Sequence, residues 1–543
     1  MNEKHFVAII ALVVLSGLFV TPASGAESLW DLAQQNKDVL RISTLFTAQN
    51  VRAYLSGDKG IDDAIDWCKK TGVTHVFIET FRGNYTAPRK TLEHARERFT
   101  DAGFNVSGCV TTTDVGKKST GWKIIACYTD EPTQQKLQEI FEYTASIFDE
   151  IMIDDFWFTD CECDACQQAR GQRSWAEYRC DLMTRVSRQR VLEPARKVNP
   201  DVEVVIKYPQ WYDNFHNRGY EVVQQTADFD TIWVGTETRD PDSQRWGRKA
   251  QYEAYFIMRW LGAIGGAKTG GGWFDPYGTH EDTYVEQARQ TVLADAKEML
   301  LFCYGSLLRE TGPANVEKLR TEIPGLFKLA RLVRGKPLQG IAAPKPPNSD
   351  AHDEQYVYDF VGMLGLPLVP TPKINTAARA AFLPVHALKD PQLNSKLGAM
   401  LAAGKPILVT DGLADRLPAS VKADKNLHVL EVNGQPRSLL ELSREELRPI
   451  RDKMLAPWGI RFDAPNKVAL YLIGDDCIVV ENFNDEPVTA SLEFAQPVNA
   501  RQALVLPVDG AAAFSCKAGK IDFTRITPRT LVALTYVPAR ETH

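Results

Sequence analysis

The chain is poor in several features that mark particular classes of protein. Ten cysteines in 543 residues are few for a fold built on disulfides. The net charge is −6, and no block of basic residues occurs, which argues against nucleic acid as a partner. There is no internal repeat and no low-complexity tract. The second α/β stretch, residues 334–442, has no glycine-rich phosphate loop, so we assign it no cofactor, and we expect no catalytic cofactor in the chain.

Long apolar runs are also scarce, since only Phe6–Val20 stands out and nothing later is long and apolar enough to cross a bilayer. Lys4 precedes this run and small residues follow it, which is typical of a secretory signal peptide. A run of about 15 residues is short for a membrane span, although an uncleaved anchor helix is the alternative. We therefore predict a signal peptide over residues 1–26 and a secreted or periplasmic protein that is not membrane-bound after its removal.

Apolar strand-like runs alternate with amphipathic helical stretches through residues 27–333. Eight such strands with intervening helices predict a (β/α)8 TIM barrel, with a doubly wound open sheet as the alternative. The predicted strands are Leu40–Thr47, Thr74–Phe81, Asn105–Thr111, Glu150–Phe158, Glu203–Tyr208, Thr231–Thr236, Lys268–Phe274 and Met299–Tyr304.

Two further units follow a break near residues 334–337 and 343–347. Residues 334–442 predict a flavodoxin-like α/β domain, with a turn at Asp411-Gly412 after its last strand. Residues 443–543 predict a connector helix, Arg444–Leu455, and a C-terminal β-sandwich. The predicted sandwich strands are Val468–Ile473, Cys477–Asn482, Val488–Phe494, Gln502–Leu506 and Thr530–Tyr536.

The ends of the predicted barrel strands are polar, and in this fold they converge on one mouth where active sites form. Glycoside cleavage needs one carboxyl to protonate the leaving oxygen and another to attack the anomeric carbon or activate a water. Asp154 and Asp155 end the fourth strand but, being adjacent, cannot straddle a sugar bond. We expect Asp155 to be catalytic and Asp154 to orient it or the substrate, with Glu237 or Asp275 as the second carboxylate. The alternative for the aspartate pair is metal binding or loop capping.

Other side chains near the strand ends are candidates for binding a sugar. Aromatic rings could stack on the sugar, although core packing is the alternative for each of them. The predicted substrate-binding residues are Glu79, Arg82, Trp157, Lys207, Tyr208, Trp211, Arg239 and Trp273.

Three cysteines, Cys161, Cys163 and Cys166, lie within six residues after the fourth strand. Zinc takes four tetrahedral ligands, commonly thiolates, and one loop with this spacing could supply three of them. We choose Cys127 as the fourth ligand of a structural zinc site, with Cys109, Cys180 and Asp160 as alternatives. Disulfides are the other interpretation, but bridges over so few residues are strained and one thiol would remain.

A barrel whose fourth strand runs into a Cys-x-Cys-x-x-Cys loop resembles the bacterial β-galactosidases of glycoside hydrolase family 42. The resemblance extends to the domain order and implies a structural zinc site completed by Cys127 and a trimerising middle domain. The family carries Asn-Glu where this chain has Asp154-Asp155, and a Glu after the seventh strand where this chain has Asp275. Carboxylates on strands four and six resemble instead the α-galactosidase-like barrels, in which the strand-four Asp is the nucleophile.

The sequence therefore predicts an exported glycoside hydrolase that acts on an oligo- or polysaccharide, and the resemblance of its middle domain to a trimerising domain implies a homo-oligomer. The principal alternative is a non-catalytic carbohydrate-binding protein on the same scaffold. A barrel enzyme of another class, such as a lyase or a metal-dependent hydrolase, is a third hypothesis, because (β/α)8 barrels host many chemistries.

Overall fold

The computed structural model describes residues 27–517 and 519–538. The predicted signal peptide, residues 1–26, lies outside the described residues. Within the described ranges, no helix combines the length and the apolar character that a bilayer span requires.

Eight parallel strands close into a barrel near the start of the described chain. Strand β1 pairs with β2, Ser43 opposite His75, and also with β8, Arg41 opposite Glu298, so the sheet has no free edge between first and last strand. This confirms the predicted barrel and excludes the open sheet. The strands are β1 Arg41–Phe46, β2 His75–Arg82, β3 Asn105–Val110, β4 Glu150–Ile153, β5 Glu203–Tyr208, β6 Thr231–Gly235, β7 Thr269–Phe274 and β8 Glu298–Leu301.

Each barrel strand sends one residue into a shared interior cluster, so the barrel is filled and has no pore. The eight are Leu45, Phe77, Cys109, Met152, Val205, Trp233, Trp273 and Leu300. The surrounding helices are Leu29–Asn36, Ala48–Tyr54, Asp58–Lys70, Arg89–Asp101, Glu131–Ala145, Asp164–Arg170, Trp175–Val186, Glu193–Val198, Phe215–Arg218, Val222–Asp228, Glu253–Gly265, Glu281–Leu293, Tyr304–Leu307 and Gly312–Val333.

Strand β4 is shorter than predicted, because it ends at Ile153 rather than at Phe158. The apolar residues that follow pack instead of pairing: Trp157 is fully buried, and its indole N–H donates to Ser187 Oγ at 3.0 Å. Asp154 and Asp155 therefore begin a loop, where successive side chains need not point to opposite faces.

The long helix predicted over Ser174–Val198 is also interrupted. A π-helical turn, Ser187–Leu192, separates its two α-helical parts. Pro194 lies two residues after this turn and has no N–H with which to continue the i→i−4 bonding, which explains the change in winding.

The middle unit is a five-stranded parallel sheet with short helices. Its strand order is Leu368–Thr371, Ile341–Pro344, Ala381–Leu383, Ile407–Thr410 and Leu427–Leu430. Its helices are Val357–Gly362, Leu393–Ala402, Asp411–Ala414 and Ala419–Lys422. The proline-rich segment predicted as a break contains an interior strand, which tolerates Pro344 because this residue is its last.

The turn predicted at Asp411-Gly412 is wrong, since these residues begin a short helix. Its N-cap, Thr410, accepts a hydrogen bond from Leu413 N at 3.3 Å. Such a cap satisfies a backbone donor that a turn would leave to solvent.

Two antiparallel sheets form the C-terminal sandwich. One has the order Leu338–Gln339, Val468–Ile473, Cys477–Asn482, Thr530–Pro538 and Val498–Leu506. The other has the order Ile460–Asp463, Val488–Phe494, Lys520–Ile526 and Ala512–Lys517. The connector helix Arg444–Leu455 begins at a capping box formed by Ser443 and Glu446.

Candidate active site

A cavity of about 570 Å³ opens at the carboxyl ends of the barrel strands. Its size is within the ~300–1,000 Å³ range of small-molecule sites. Residues at the ends of β2–β8 and in the loops that follow them line it, together with one residue of the middle unit, Tyr356. The lining residues are Arg82, Trp122, Asp154, Asp155, Phe156, Phe158, Lys207, Gln210, Trp211, Glu237, Arg239, Arg245, Lys249, Trp273, Asp275, Tyr277, Phe302 and Tyr356.

Lys207, in β5, is the centre of the charged groups in this cavity. Its Nζ lies 3.0 Å from Asp155 Oδ2 and 2.9 Å from Glu237 Oε1. Asp154 Oδ1 is 3.8 Å away, and the Trp273 ring centroid is 3.9 Å away. Burial alone would lower the pKa of Lys207, but the three carboxylates raise it overall, so the ammonium stays charged.

Asp154 is fully engaged by its neighbours. One oxygen lies 2.7 Å from an Arg82 guanidinium nitrogen and accepts a hydrogen bond from Thr111 Oγ1 at 2.9 Å. The other accepts the backbone N–H of Asp155 at 2.8 Å. Burial acts to raise the pKa of Asp154, but Arg82 and Lys207 outweigh it and lower the pKa, so this carboxylate is ionised.

Asp155 has the opposite electrostatic environment, although it is the next residue. Burial raises its pKa to about 7, the charges of Asp154 and Glu237 add to the rise, and Lys207 opposes it. Near neutral pH this group is therefore partly protonated and able to give up or take up a proton. Its main-chain oxygen accepts a hydrogen bond from Tyr220 OH at 2.8 Å, which fixes the loop.

Glu237 follows β6 and is 3% exposed. Its Oε1 contacts Lys207, whereas its buried Oε2 has no hydrogen-bond partner among the described residues. A Cβ on Gly235 would lie only 2.8 Å from Oε2, so a glycine is needed for the carboxylate to occupy this place.

Asp275, after β7, is held by a single arginine. Arg239 Nε and Nη2 contact its two oxygens at 3.0 and 2.7 Å, and Tyr277 N donates to Oδ1 at 3.1 Å. Burial raises the pKa of Asp275, while Arg239 acts to lower it. Both oxygens are thus occupied, as expected of a carboxylate that positions other groups.

The structure distributes the remaining predicted sugar-binding residues between the cavity and the core. Trp211 and Trp273 line the cavity. Glu79 is fully buried beneath Arg82, whose Nε it binds at 2.9 Å, and it accepts Ala48 N at 2.7 Å. Trp157 and Tyr208 are fully buried and do not line the cavity.

Several lining residues escaped the sequence reasoning. Tyr277 could have been found from its place two residues after Asp275, in a strand-end loop. Tyr356 gave no such signal, because it belongs to the middle unit and comes to the cavity only through folding. Its backbone N–H donates to Asp213 Oδ2 at 2.7 Å, and Lys249 Nζ lies 5.5 Å from its ring centroid.

A cluster of four cysteines stands beside the loop that follows β4. The sulfur atoms of Cys127, Cys161, Cys163 and Cys166 all lie within 4.8 Å of one another. Three of their separations are 3.5, 3.8 and 3.7 Å. A tetrahedron with metal–sulfur bonds of ~2.3 Å has edges of ~3.8 Å, so the donor set fits such a metal. None of the ten cysteines, all of which lie in the described ranges, forms a disulfide.

The other ligands considered for the metal lie elsewhere. Cys109 belongs to the barrel interior, and Cys180 donates to His216 O at 3.5 Å. Asp160 Oδ2 contacts Arg218 at 2.9 Å. Cys127 therefore completes the cluster, and this group of four cysteines could hold a metal ion.

Several solved structures share the fold of this chain. An α-L-fucosidase of Paenibacillus thiaminolyticus superposes with a TM-score of 0.61 at 10% identity, over 91% of this chain and 99% of that one. A family 42 β-galactosidase of G. stearothermophilus gives 0.59 at 8% identity, over 93% and 98%. At such identities the likeness concerns the fold.

Sequence similarity connects the chain to a curated relative and to a family. An uncharacterised protein of Saccharolobus solfataricus is 26% identical over 379 residues, which are 62% of this chain. The match spans 60% of the length of that relative. Residues 27–352 match the family model described as "Probable glycosyl hydrolase, catalytic domain". The chain therefore belongs to this glycosyl hydrolase family, with its catalytic domain in the barrel.

Proposed function

We propose that the protein hydrolyses an O-glycosidic bond of an oligo- or polysaccharide with Asp155 and Glu237 as its paired carboxylates. The observation that carries this proposal is their shared contact with Lys207 in the cavity at the barrel mouth. The two come from different strand ends and so can lie on either side of a sugar ring, which Asp154 and Asp155 cannot do.

Asp155 acts as the general acid. Its pKa of about 7 leaves part of the enzyme with a proton to give to the leaving oxygen at neutral pH. Glu237 supplies the negative charge close to the anomeric carbon, since it contacts the Lys207 ammonium and keeps one oxygen without a partner. Asp275 is the weaker candidate for this second role, because Arg239 occupies both of its oxygens.

The shared lysine also supports a stereochemical outcome. The contacting oxygens of Asp155 and Glu237 can be separated by no more than the sum of their distances to Lys207 Nζ, which are 3.0 and 2.9 Å. Retaining glycosidases keep their carboxyl groups about 5–5.5 Å apart, whereas inverting enzymes need about 6.5–9.5 Å to admit a water. We therefore propose a retaining mechanism with Glu237 as nucleophile.

A panel of aryl glycosides and of plant and microbial polysaccharides tests the activity, and NMR of the first product formed tests the stereochemistry. We expect release of sugar from at least one substrate, with the anomeric configuration kept. Inversion would contradict the role of Glu237 as nucleophile. No hydrolysis across the panel, by a folded protein, would count against the proposed reaction.

We further propose that the cysteine cluster holds a structural zinc ion. Four thiolates leave zinc no open position, so the ion would fix the loop after β4 without taking part in the chemistry. Metal analysis of the purified protein should then find about one equivalent of zinc. A metal-free protein with all four thiols reactive would contradict this proposal.

Export and assembly are separate proposals. The N-terminal pattern supports cleavage near residue 26, which N-terminal sequencing of the protein from the cell exterior or periplasm would reveal. The resemblance of the middle unit to a trimerising domain supports a homo-oligomer. Light scattering that finds only a mass of ~58 kDa, the approximate mature monomer, would contradict it.

A further inference from the structure

A second cavity, of about 520 Å³, adjoins the first at the barrel mouth. The two share Arg82, Tyr277 and Phe302 in their linings, so these residues form the boundary between adjoining cavities. The second cavity lies over the loops that follow β1, β7 and β8. Its lining also includes Arg52, Tyr54, Ser306, Arg309 and Glu310.

Two arginines give this second cavity a positive character. Arg52 and Arg309 are exposed, and neither forms an ion pair with a carboxylate among residues 27–517 and 519–538. Arg82, by contrast, is neutralised by Glu79 and Asp154. Glu310 is the only acidic residue in the lining, so the balance of uncompensated charge is positive.

Both arginines are oriented by aromatic rings. Arg309 Nη2 donates to Tyr54 OH at 2.9 Å, and the Arg52 guanidinium lies 4.8 Å from the Tyr85 ring centroid. Because neither contact neutralises the positive charge of its arginine, both guanidinium groups remain available for an oxyanion such as a carboxylate or a sulfate, two of whose oxygens an arginine can bind at once.

The shared wall offers a surface for a sugar ring. Tyr277 is 37% exposed, and its hydroxyl group forms a hydrogen bond of 2.7 Å with Ser306 Oγ, which holds the ring in place. An exposed and fixed aromatic ring suits stacking on the apolar face of a sugar. Tyr277 therefore connects the carboxylates to the arginine-lined cavity.

We infer that the second cavity binds the continuation of the substrate chain and that this part of the substrate is anionic, with carboxylate or sulfate substituents. The inference rests on the proposed glycosidase function and names its substrate class. Because the arginines lie beyond the catalytic cavity, the inference also predicts where the substrate is cut. The cleaved bond should lie inside the sugar chain or at a distance from an acidic end of that chain.

Direct binding tests this inference independently of turnover. The Asp155→Asn protein is applied to an array of neutral, uronic acid-containing and sulfated oligosaccharides of one to eight sugars. We expect binding to anionic chains of several sugars, weaker binding to neutral chains, and loss of the preference in high salt. The array distinguishes carboxylate from sulfate as the recognised group.

The matched variants are Arg52→Ala with Arg309→Ala, compared with Arg501→Ala, an exposed arginine of the sandwich that lines neither cavity. The double variant should bind the anionic chains about tenfold more weakly, as expected for loss of two partly solvated ionic contacts. Equal binding by the double variant and the Arg501 control, or equal binding of neutral and anionic chains, would overturn the inference.

A short aryl glycoside separates this inference from the proposed function. It fills only the catalytic cavity, so its cleavage by the wild type and by the Arg501→Ala control tests the proposed function alone. Failure of the wild type to cleave any glycoside would overturn the proposed function, whatever the array shows. Cleavage of aryl glycosides without any arginine-dependent binding of anionic chains would overturn only the substrate class.

Discussion

The two ends of the barrel carry buried charges of similar kind in opposite circumstances. At the amino end, His75 Nδ1 lies 2.8 Å from Glu298 Oε1 and its Nε2 lies 2.8 Å from Ser107 Oγ. At the carboxyl end, Asp155 and Glu237 contact one lysine between them, and Glu237 keeps a buried oxygen without a partner in the described chain.

The two environments shift the pKa values of their carboxyl groups in opposite directions. Burial acts to raise the pKa of Glu298, but His75 outweighs it and the pKa is lowered. Burial raises the pKa of Asp155 to about 7, the charges of Asp154 and Glu237 add to the rise, and Lys207 offsets only part of it. A buried acid whose pKa is lowered by its partners stays ionised and contributes to the fold, whereas one whose pKa is raised to near neutrality is available for proton transfer.

Replacing Asp155, the acid with the raised pKa, should have the largest effect on activity. Asp155→Asn keeps the shape of the side chain but removes proton transfer, so we expect turnover to fall by about 10²–10⁴-fold with the fold preserved. Steady-state kinetics and circular dichroism would measure both. Near-wild-type turnover would contradict the assignment and make Asp154 the residue to examine.

The cysteine cluster lies near the barrel mouth, yet we expect it to stabilise the fold and not to take part in the reaction. With zinc bound, Cys163→Ser should lower the free energy of unfolding by at least ~3 kcal/mol while kcat changes less than in Asp155→Asn. Chelation of the wild type should have the same effect, measured by thermal denaturation. Cys516→Ser, outside the cluster, is the control.

A substitution at the amino end of the barrel should lower stability and leave activity nearly unchanged, which is the reverse of the result expected for Asp155→Asn. Glu298→Gln weakens the contact with His75 and should destabilise the protein by about 1–3 kcal/mol, with kcat/KM nearly unchanged. Because folding lowers the pKa of Glu298, its stabilisation is complete above the unfolded pKa and is lost as pH falls through the folded value. Denaturation at several pH values measures this, and a large loss of activity without loss of stability would contradict it.

The smallest expected effect is a shift in the pH dependence of kcat/KM. An acid with a pKa of about 7 gives kcat/KM an alkaline limb near that pH, since activity is lost as Asp155 deprotonates. Lys207 acts to lower this pKa, so Lys207→Gln should move the limb to higher pH. Glu298→Gln should leave the limb in place, and an unmoved limb in Lys207→Gln would exclude Asp155 as its source.

Much of the barrel followed from the sequence, because eight apolar runs separated by amphipathic helices allow few arrangements. The end of β4 did not, since Phe156–Phe158 reads as a continued strand, and only the packing of Trp157 shows otherwise. The strand Ile341–Pro344 was hidden by the prolines around it. Local patterns cannot reveal which of several apolar runs pair and which pack.

The candidate site was predictable in its residue types but not in its connections. Strand-end position alone pointed to Asp155, Glu237, Asp275 and Lys207. Only the structure shows that Lys207 contacts both Asp155 and Glu237. It also shows that Arg239 binds the oxygens of Asp275. Such pairings depend on side chains from strands that are distant in sequence.

Tyr356 has a practical consequence for anyone who cuts this protein into modules. The family match ends at residue 352, yet Tyr356, four residues later, forms part of the cavity wall. It is held there by Asp213 and packs edge-on against Tyr212 at 5.2 Å. A protein truncated at residue 352 would lack Tyr356 and therefore part of the cavity wall. A version intended for activity measurements should retain the middle unit.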